Sequence, residues 1–290
     1  MNNNENQSVA KTNINWYPGH MAKTKRLINE SKDLIDIVYE LIDARIPKSS
    51  KIEDKDNLLL NKPHILIMTK YDLCDKVETD KWIDYYKNNG YKVIKLNLND
   101  SNVNFKELID VTNELMNDVQ QKRLTKGLKE KEIRALVLGI PNVGKSTFIN
   151  RFIGKNVANT GNKPGVTTNL VWLKSKSNIL LLDTPGILWP KIEDEEVALN
   201  LASMSAIREE VLPIGKVACH ILEKLNIYYN DKLQNRYGIN NIDDIIETYD
   251  IIGKKIGAYK NGEADYNRVS EAIINDVKSE RIKDITFDRK

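Results

Sequence analysis

Short apolar runs of four to eight residues punctuate the first two thirds of this 290-residue chain, separated by segments with helical periodicity. Asp36–Asp43 reads as a strand that empties into the loop Ala44-Arg45-Ile46-Pro47-Lys48-Ser49-Ser50. His64–Met68, Ala135–Leu138 and Ile179–Leu182 read as apolar strands of the kind buried in a parallel sheet, and Tyr91–Leu96 reads as a further strand. Between them, His20–Leu34, Trp82–Asn89 and Phe105–Leu124 read as helices, the first opened by Pro18-Gly19. Strands alternating with helices predict an α/β fold with a mostly parallel sheet. Beyond about Pro190 the pattern changes. Val197–Glu210, Pro213–Leu225, Ile242–Lys254 and Tyr266–Ser279 all read as helices with no strong strand among them. The division expected is a disordered tail at 1–14, an α/β domain at 15–192 and an all-helical domain at 193–290. No internal repeat is visible.

Each strand end carries a motif. Gly139-Ile140-Pro141-Asn142-Val143-Gly144-Lys145-Ser146-Thr147 fits G-x-x-x-x-G-K-[ST] between a strand and a helical stretch. Glycines let backbone amides turn inward around phosphates, with a helix N-terminus behind them. Lys145 would reach the β- and γ-phosphates, and the Ser146 hydroxyl would ligate Mg²⁺. Asp183-Thr184-Pro185-Gly186 closes a later apolar strand. There Asp183 would hold Mg²⁺ through water and the Gly186 amide would sense the γ-phosphate. In the intervening Lys163-Pro164-Gly165-Val166-Thr167-Thr168, Thr167 is the choice for a second Mg²⁺ hydroxyl, with Thr168 the alternative.

Thr69-Lys70-Tyr71-Asp72, after the strand His64–Met68, fits a guanine-reading tetrad. A carboxylate at Asp72 can accept from guanine N1–H and the 2-amino group together, a donor pair that adenine lacks. Lys70 would lie along the base plane. Thr69 stands where Asn is usual and is shorter, so its reach to the base is open. Asn97-Leu98 follows the next strand, where a loop under guanine is expected, although the usual Ser-Ala is missing; Asn97 also reads as a plain strand-end turn residue. The order is the informative part: the tetrad precedes the phosphate loop, whereas an ordinary GTPase has them the other way round.

Composition adds exclusions. A charged fraction of 29% and net charge of +3 suit a soluble globular protein and do not announce a nucleic-acid binder. From Asn200 onward there are 14 Lys/Arg against 15 Asp/Glu, so any RNA contact there must come from a local patch. Two cysteines, Cys74 and Cys219, cannot build a disulfide framework. The polar, Asn-rich Met1–Thr12 lacks an apolar core and Arg, unlike a signal or transit peptide. No apolar run approaches the ~20 residues of a membrane span. A cytoplasmic monomer is expected.

Together with Ile14-Asn15-Trp16-Tyr17-Pro18-Gly19-His20-Met21-Ala22-Lys23 and the tail Asp265-Tyr266-Asn267-Arg268-Val269-Ser270 to Ile285-Thr286-Phe287, these motifs resemble the circularly permuted GTPases, over nearly the whole chain from Ile14. The resemblance implies GTP hydrolysis coupled to late assembly of the large ribosomal subunit, with a helical C-terminal domain contacting rRNA. It implies Mg²⁺, and it makes Asn142 similar to the potassium-coordinating Asn of related GTPases. Ile187 stands where many GTPases carry a water-orienting Gln. The resemblance therefore suggests His20 as the group that orients or deprotonates water, the alternative being a histidine that caps or packs at the first helix. Two other readings of the same residues are a GTP-stiffened RNA-binding module and a tRNA-maturation GTPase.

Overall fold

The computed structural model describes residues 26–52, 62–156, 171–185, 192–207 and 211–290. The tail at 1–14, His20, Thr167, Thr168, Gly186 and Ile187 lie outside the described residues.

Helix α1 (26–31) runs through a short 3₁₀ turn, Lys32–Leu34, into β1 (Ile37–Asp43). Then follow β2 (His64–Thr69), α2 (Lys76–Asn88), β3 (Lys92–Lys95), α3 (Lys106–Leu124), β4 (Ile133–Gly139) and α4 (Lys145–Ile153). Strands β5 (Val171–Lys174) and β6 (Ile179–Asp183) complete a sheet of order β3-β2-β1-β4-β6-β5, parallel except for β5. The central strand β1 is buried at every position, as a strand covered on both faces must be. Its alternate residues Ile37, Tyr39 and Leu41 join the principal core, while Val38 and Ile42 enter smaller clusters on the other face.

The strand register brings the motifs to one edge. Asp43 pairs with Thr69, Leu41 with Gly139, and Val137 with Asp183. Sequence-distant loops thereby meet beyond the carboxyl ends of the strands, where open α/β sheets bind ligands.

From residue 195 onward the described chain is helical: α5 (Glu195–Ser203), α6 (Ile214–Tyr228), α7 (Asn230–Tyr237), α8 (Ile245–Ile256) and α9 (Tyr266–Lys278). A hairpin of β7 (Tyr259–Lys260) and β8 (Glu263–Ala264) sits between the last two helices. Each of its strands is two residues long, too short for a period to show. Other boundaries also differ from the sequence reading. Helix α2 starts at Lys76, six residues ahead of Trp82, because the Asp75 carboxylate accepts the Glu78 amide at 3.1 Å and caps a polar first turn. Helix α5 stops at Ser203, ahead of Ser205, which adopts φ +57°. The polar segment that forms α7 shows no helical stripe in sequence, yet it buries Leu233 and Tyr237.

Candidate nucleotide-binding site

Gly139 and Gly144 are required for different reasons. A Cβ on Gly139 would lie 2.7 Å from Val143 Cγ1 and 3.3 Å from Leu41, so only hydrogen fits. Gly144 adopts φ +99°, and Asn142 adopts φ +61° just before it. Gly144 caps α4 without a side chain, so the first-turn amides keep no intramolecular side-chain acceptor. Ser146 and Thr147 are half-buried in that turn. The arrangement suits an anion.

Lys145 Nζ meets Asp183 Oδ1 at 2.6 Å, and both side chains are almost wholly buried. Burial pulls the Lys145 ammonium below its usual range, with Asp183 opposing it. Thr184 donates to the Val137 carbonyl at 2.7 Å and fixes the end of β6 against β4.

The tetrad is tied to the phosphate loop by two side chains. Thr69 Oγ1 lies 2.7 Å from the Val143 carbonyl and 3.1 Å from that of Ile42, and Thr69 has no exposed surface. Its shortness is thereby accounted for: the hydroxyl serves backbone carbonyls. Lys70, at φ +55°, donates to the Asn142 carbonyl at 2.8 Å and to Asp43 Oδ2 at 2.9 Å. Tyr71 turns away to Asp80 at 2.9 Å, with Lys95 over its ring. Asp72 Oδ1 is enclosed and has no hydrogen-bond partner among the described residues. A buried acceptor left without a donor is costly.

Asp43 is not among the site residues that the motifs single out, although a carboxylate closing an apolar strand is the signal that would have found it. Arg45 grips it through Nε at 2.9 Å and Nη2 at 2.8 Å. Burial alone would raise the Asp43 carboxyl, but Arg45 and Lys70 outweigh it and hold it well below the usual range. This triad, buried at Asp43 and Arg45, fixes the half-buried lysine whose aliphatic stem is expected along the base.

Leu98 is buried, and a Cβ on Gly144 would lie 3.3 Å from Leu98 Cδ1, so the loop after β3 packs against the phosphate loop. Asn97 is exposed, and its Oδ1 accepts the Asn99 amide at 3.0 Å, the geometry of a turn. Asn142 Nδ2 donates to the Ser205 carbonyl at 2.6 Å, joining the phosphate loop to the segment after α5.

A G-x-x-x-x-G-K-[ST] strand–loop–helix unit, a Thr-Lys-Tyr-Asp loop ahead of it in the chain and a largely parallel sheet define a circularly permuted P-loop GTPase. A family model for a 50S ribosome-binding GTPase matches residues 134–265, starting in β4 and leaving the tetrad in front of the match. The chain is 42% identical to ribosome biogenesis GTPase A of Priestia megaterium over 95% of its length and 96% of that protein's. It is 32% identical to the Thermotoga maritima relative of the same name, over 68% of each chain. The crystal structure of GNP-bound YlqF from T. maritima shares the fold with a TM-score of 0.64 at 24% identity, covering 92% of this chain and 98% of that one. The chain belongs to the ribosome biogenesis GTPase A family. It is a GTP-hydrolysing enzyme of ribosome biogenesis. No helix among the described residues is long and apolar enough to cross a membrane.

Proposed function

We propose that this chain binds GTP with Asp72 reading the base, hydrolyses it in the Lys145 cradle, and does so while assisting late assembly of the large ribosomal subunit through rRNA contacts. The observation that carries the base assignment is the enclosed, partnerless Asp72 Oδ1 on a loop bonded directly to the phosphate loop. Lys70 along the base, Leu98 beneath the phosphate loop, and the amides of Val143 to Thr147 complete the nucleotide contacts. Asn97 enters the proposal only through its turn.

The donor set fits Mg²⁺. Asp183 supplies one carboxylate and Ser146 one hydroxyl, and no cluster of three or more His, Cys, Asp or Glu exists among the described residues. Such a sparse set suits an ion that brings its own waters and is shared with phosphate oxygens. When bound, Mg²⁺ neutralises charge on the β- and γ-phosphates. Thr167 would add a second hydroxyl and Gly186 a backbone amide. Nucleotide phosphates would take Lys145 from Asp183, releasing that carboxylate for the ion. Asn142 uses its amide nitrogen on Ser205, which leaves the oxygen as the atom for a potassium ion. His20 is the proposed group for orienting water.

On the helical side, Lys254 and Lys255 at the end of α8, and Lys260 in the hairpin after it, are exposed and would be available to RNA phosphates. We place the protein in the cytoplasm, as a monomer, with the domain division at 192/193. Hydrolysis measured with and without purified large subunits tests the reading. Stimulation by large subunits but not by tRNA is expected. Equal rates in all three would favour a GTP-stiffened binding module, and stimulation by tRNA alone a tRNA-maturation factor.

A further inference from the structure

Residues 284–288 cross the back of the base-reading loop as a strap. The amides of Asp284 and Ile285 both donate to the Leu73 carbonyl, at 2.8 and 3.3 Å, one residue past Asp72. The Phe287 amide donates to the Arg45 carbonyl at 2.8 Å, two residues past Asp43. Ile285 and Phe287 are fully buried. Thr286 Oγ1 meets Thr79 Oγ1 at 2.8 Å, and the Thr79 hydroxyl donates to the Ala44 carbonyl at 2.8 Å.

Asp288 is the anchor. Its carboxylate accepts the Ser49 amide and hydroxyl, each at 2.6 Å, and Asn200 Nδ2 at 2.9 Å. Its carbonyl accepts Trp82 Nε1 at 3.1 Å. Because Asn200 spends its amide nitrogen here, its oxygen accepts from His220 Nε2 at 2.8 Å, which sets that histidine's tautomer. Asn200 lies on α5 and His220 on α6. Tyr229, between α6 and α7, donates to the Thr286 carbonyl at 2.9 Å. The helical region thus reaches the loop that carries Asp72 and the loop that carries Arg45, both from behind.

We propose that the strap Asp284–Asp288 is a specificity-setting element for the base site, with Asp288 its positioning residue. It holds the Leu73 and Arg45 backbones so that Asp72 meets both guanine donors and Lys70 stays in plane. Guanine selectivity then depends on the helical region's grip on the strap. This rests on the assignment of Asp72 as base reader.

The test compares GDP, IDP and ADP binding by calorimetry in the full chain, for wild type, Asp288→Ala, Asp288→Asn and Thr286→Val, well below each variant's unfolding midpoint. Hypoxanthine keeps N1–H and lacks the 2-amino group, so the GDP/IDP ratio reads the angle of Asp72 independently of the phosphate contacts. Wild type should prefer GDP to IDP by roughly tenfold or more, the worth of one hydrogen bond to a charged group. In Asp288→Ala and Thr286→Val the ratio should narrow by about threefold or more while IDP affinity stays within about twofold. Asp288→Asn, which keeps an acceptor for the Ser49 amide, should fall between. Thr286→Val preserves buried volume and covers the case in which Asp288→Ala does not fold. An unchanged ratio, or GDP and IDP weakening in parallel, would overturn the proposal. A wild type with no preference for GDP over ADP would instead overturn the base-reading assignment itself.

Discussion

Replacing Asp72 by asparagine changes one atom's chemistry at nearly constant shape. In the native chain Oδ1 is enclosed without a partner among the described residues, so guanine would satisfy it directly. Two hydrogen bonds to a carboxylate are each worth about 1.5–3 kcal/mol net. Asparagine retains one acceptor, but its amide protons face a guanine donor, so one bond is lost and replaced by repulsion. The expected loss is about 2–4 kcal/mol, or roughly 30- to 1,000-fold in GDP affinity. Xanthine presents an oxo group where guanine presents the 2-amino group. The amide introduced by Asp72→Asn can donate to it, whereas the native carboxylate repels it. Titrating both proteins with GDP and XDP, at one Mg²⁺ concentration, measures both changes. The ligand-free thermal midpoint should change little, because Asp72 is half-buried and its Oδ1 has no hydrogen-bond partner among the described residues to lose. Guanine preference within about threefold of wild type, in a folded protein, would refute the role of Asp72.

Lys145→Ala or Ser146→Ala should abolish hydrolysis in purified protein, since each removes a phosphate-facing group or an ion ligand; wild-type turnover in either would displace the site. His20→Ala should leave nucleotide affinity nearly unchanged but remove most of the ribosome-stimulated rate, on the order of the 10²–10⁴-fold of a positioned acid or base. Single-turnover hydrolysis with saturating large subunits decides it, and a rate within about twofold of wild type would return His20 to a structural role. Burial, reinforced by Lys224, lowers the His220 pKa to about 4 from the usual 6.5. The unfolded chain therefore binds a proton first as pH falls. Stability should be constant above about pH 6.5 and decline toward pH 4 by up to about 3 kcal/mol from this group. His220→Gln should flatten that decline in denaturant titrations across the window; an identical slope would assign the acid sensitivity elsewhere.

The candidate nucleotide site is legible in the sequence because its motifs are local: a glycine pattern, a tetrad and an Asp-Thr-Pro-Gly each follow an apolar run, and the fold brings the described parts of each to strand ends. Their permuted order is legible for the same reason. What the sequence does not offer is the use made of each side chain. In sequence Thr69 reads as a residue for the base, whereas its hydroxyl is occupied by the Val143 and Ile42 carbonyls. The Asp43–Arg45–Lys70 triad depends on two loops 27 residues apart meeting across β1 and β2. The edge strand β5, Val-Trp-Leu-Lys, is only four residues long, too short for its pattern to be read as a strand. The use of the strap is the best hidden. Ile285-Thr286-Phe287 enters the sequence reading only through the family resemblance, and its partners Asp75 and Thr79 lie more than 200 residues away.

That distance has a consequence for biosynthesis. The Ser49 backbone and the Asp288 carboxylate are separated by 239 positions, nearly the full span of the chain. At ~5–20 residues per second, a ribosome making this protein reaches Asp288 roughly 10–50 s after it has made Ser49. During that interval β1, β2 and the phosphate loop can all have emerged, but the loop behind Asp72 has nothing to close it. A nascent chain would carry the tetrad and the phosphate loop before the strap contacts to Leu73 and Arg45 could form. On the strap proposal, competence to choose its nucleotide would arrive only once the strap reaches the loop after the first strand.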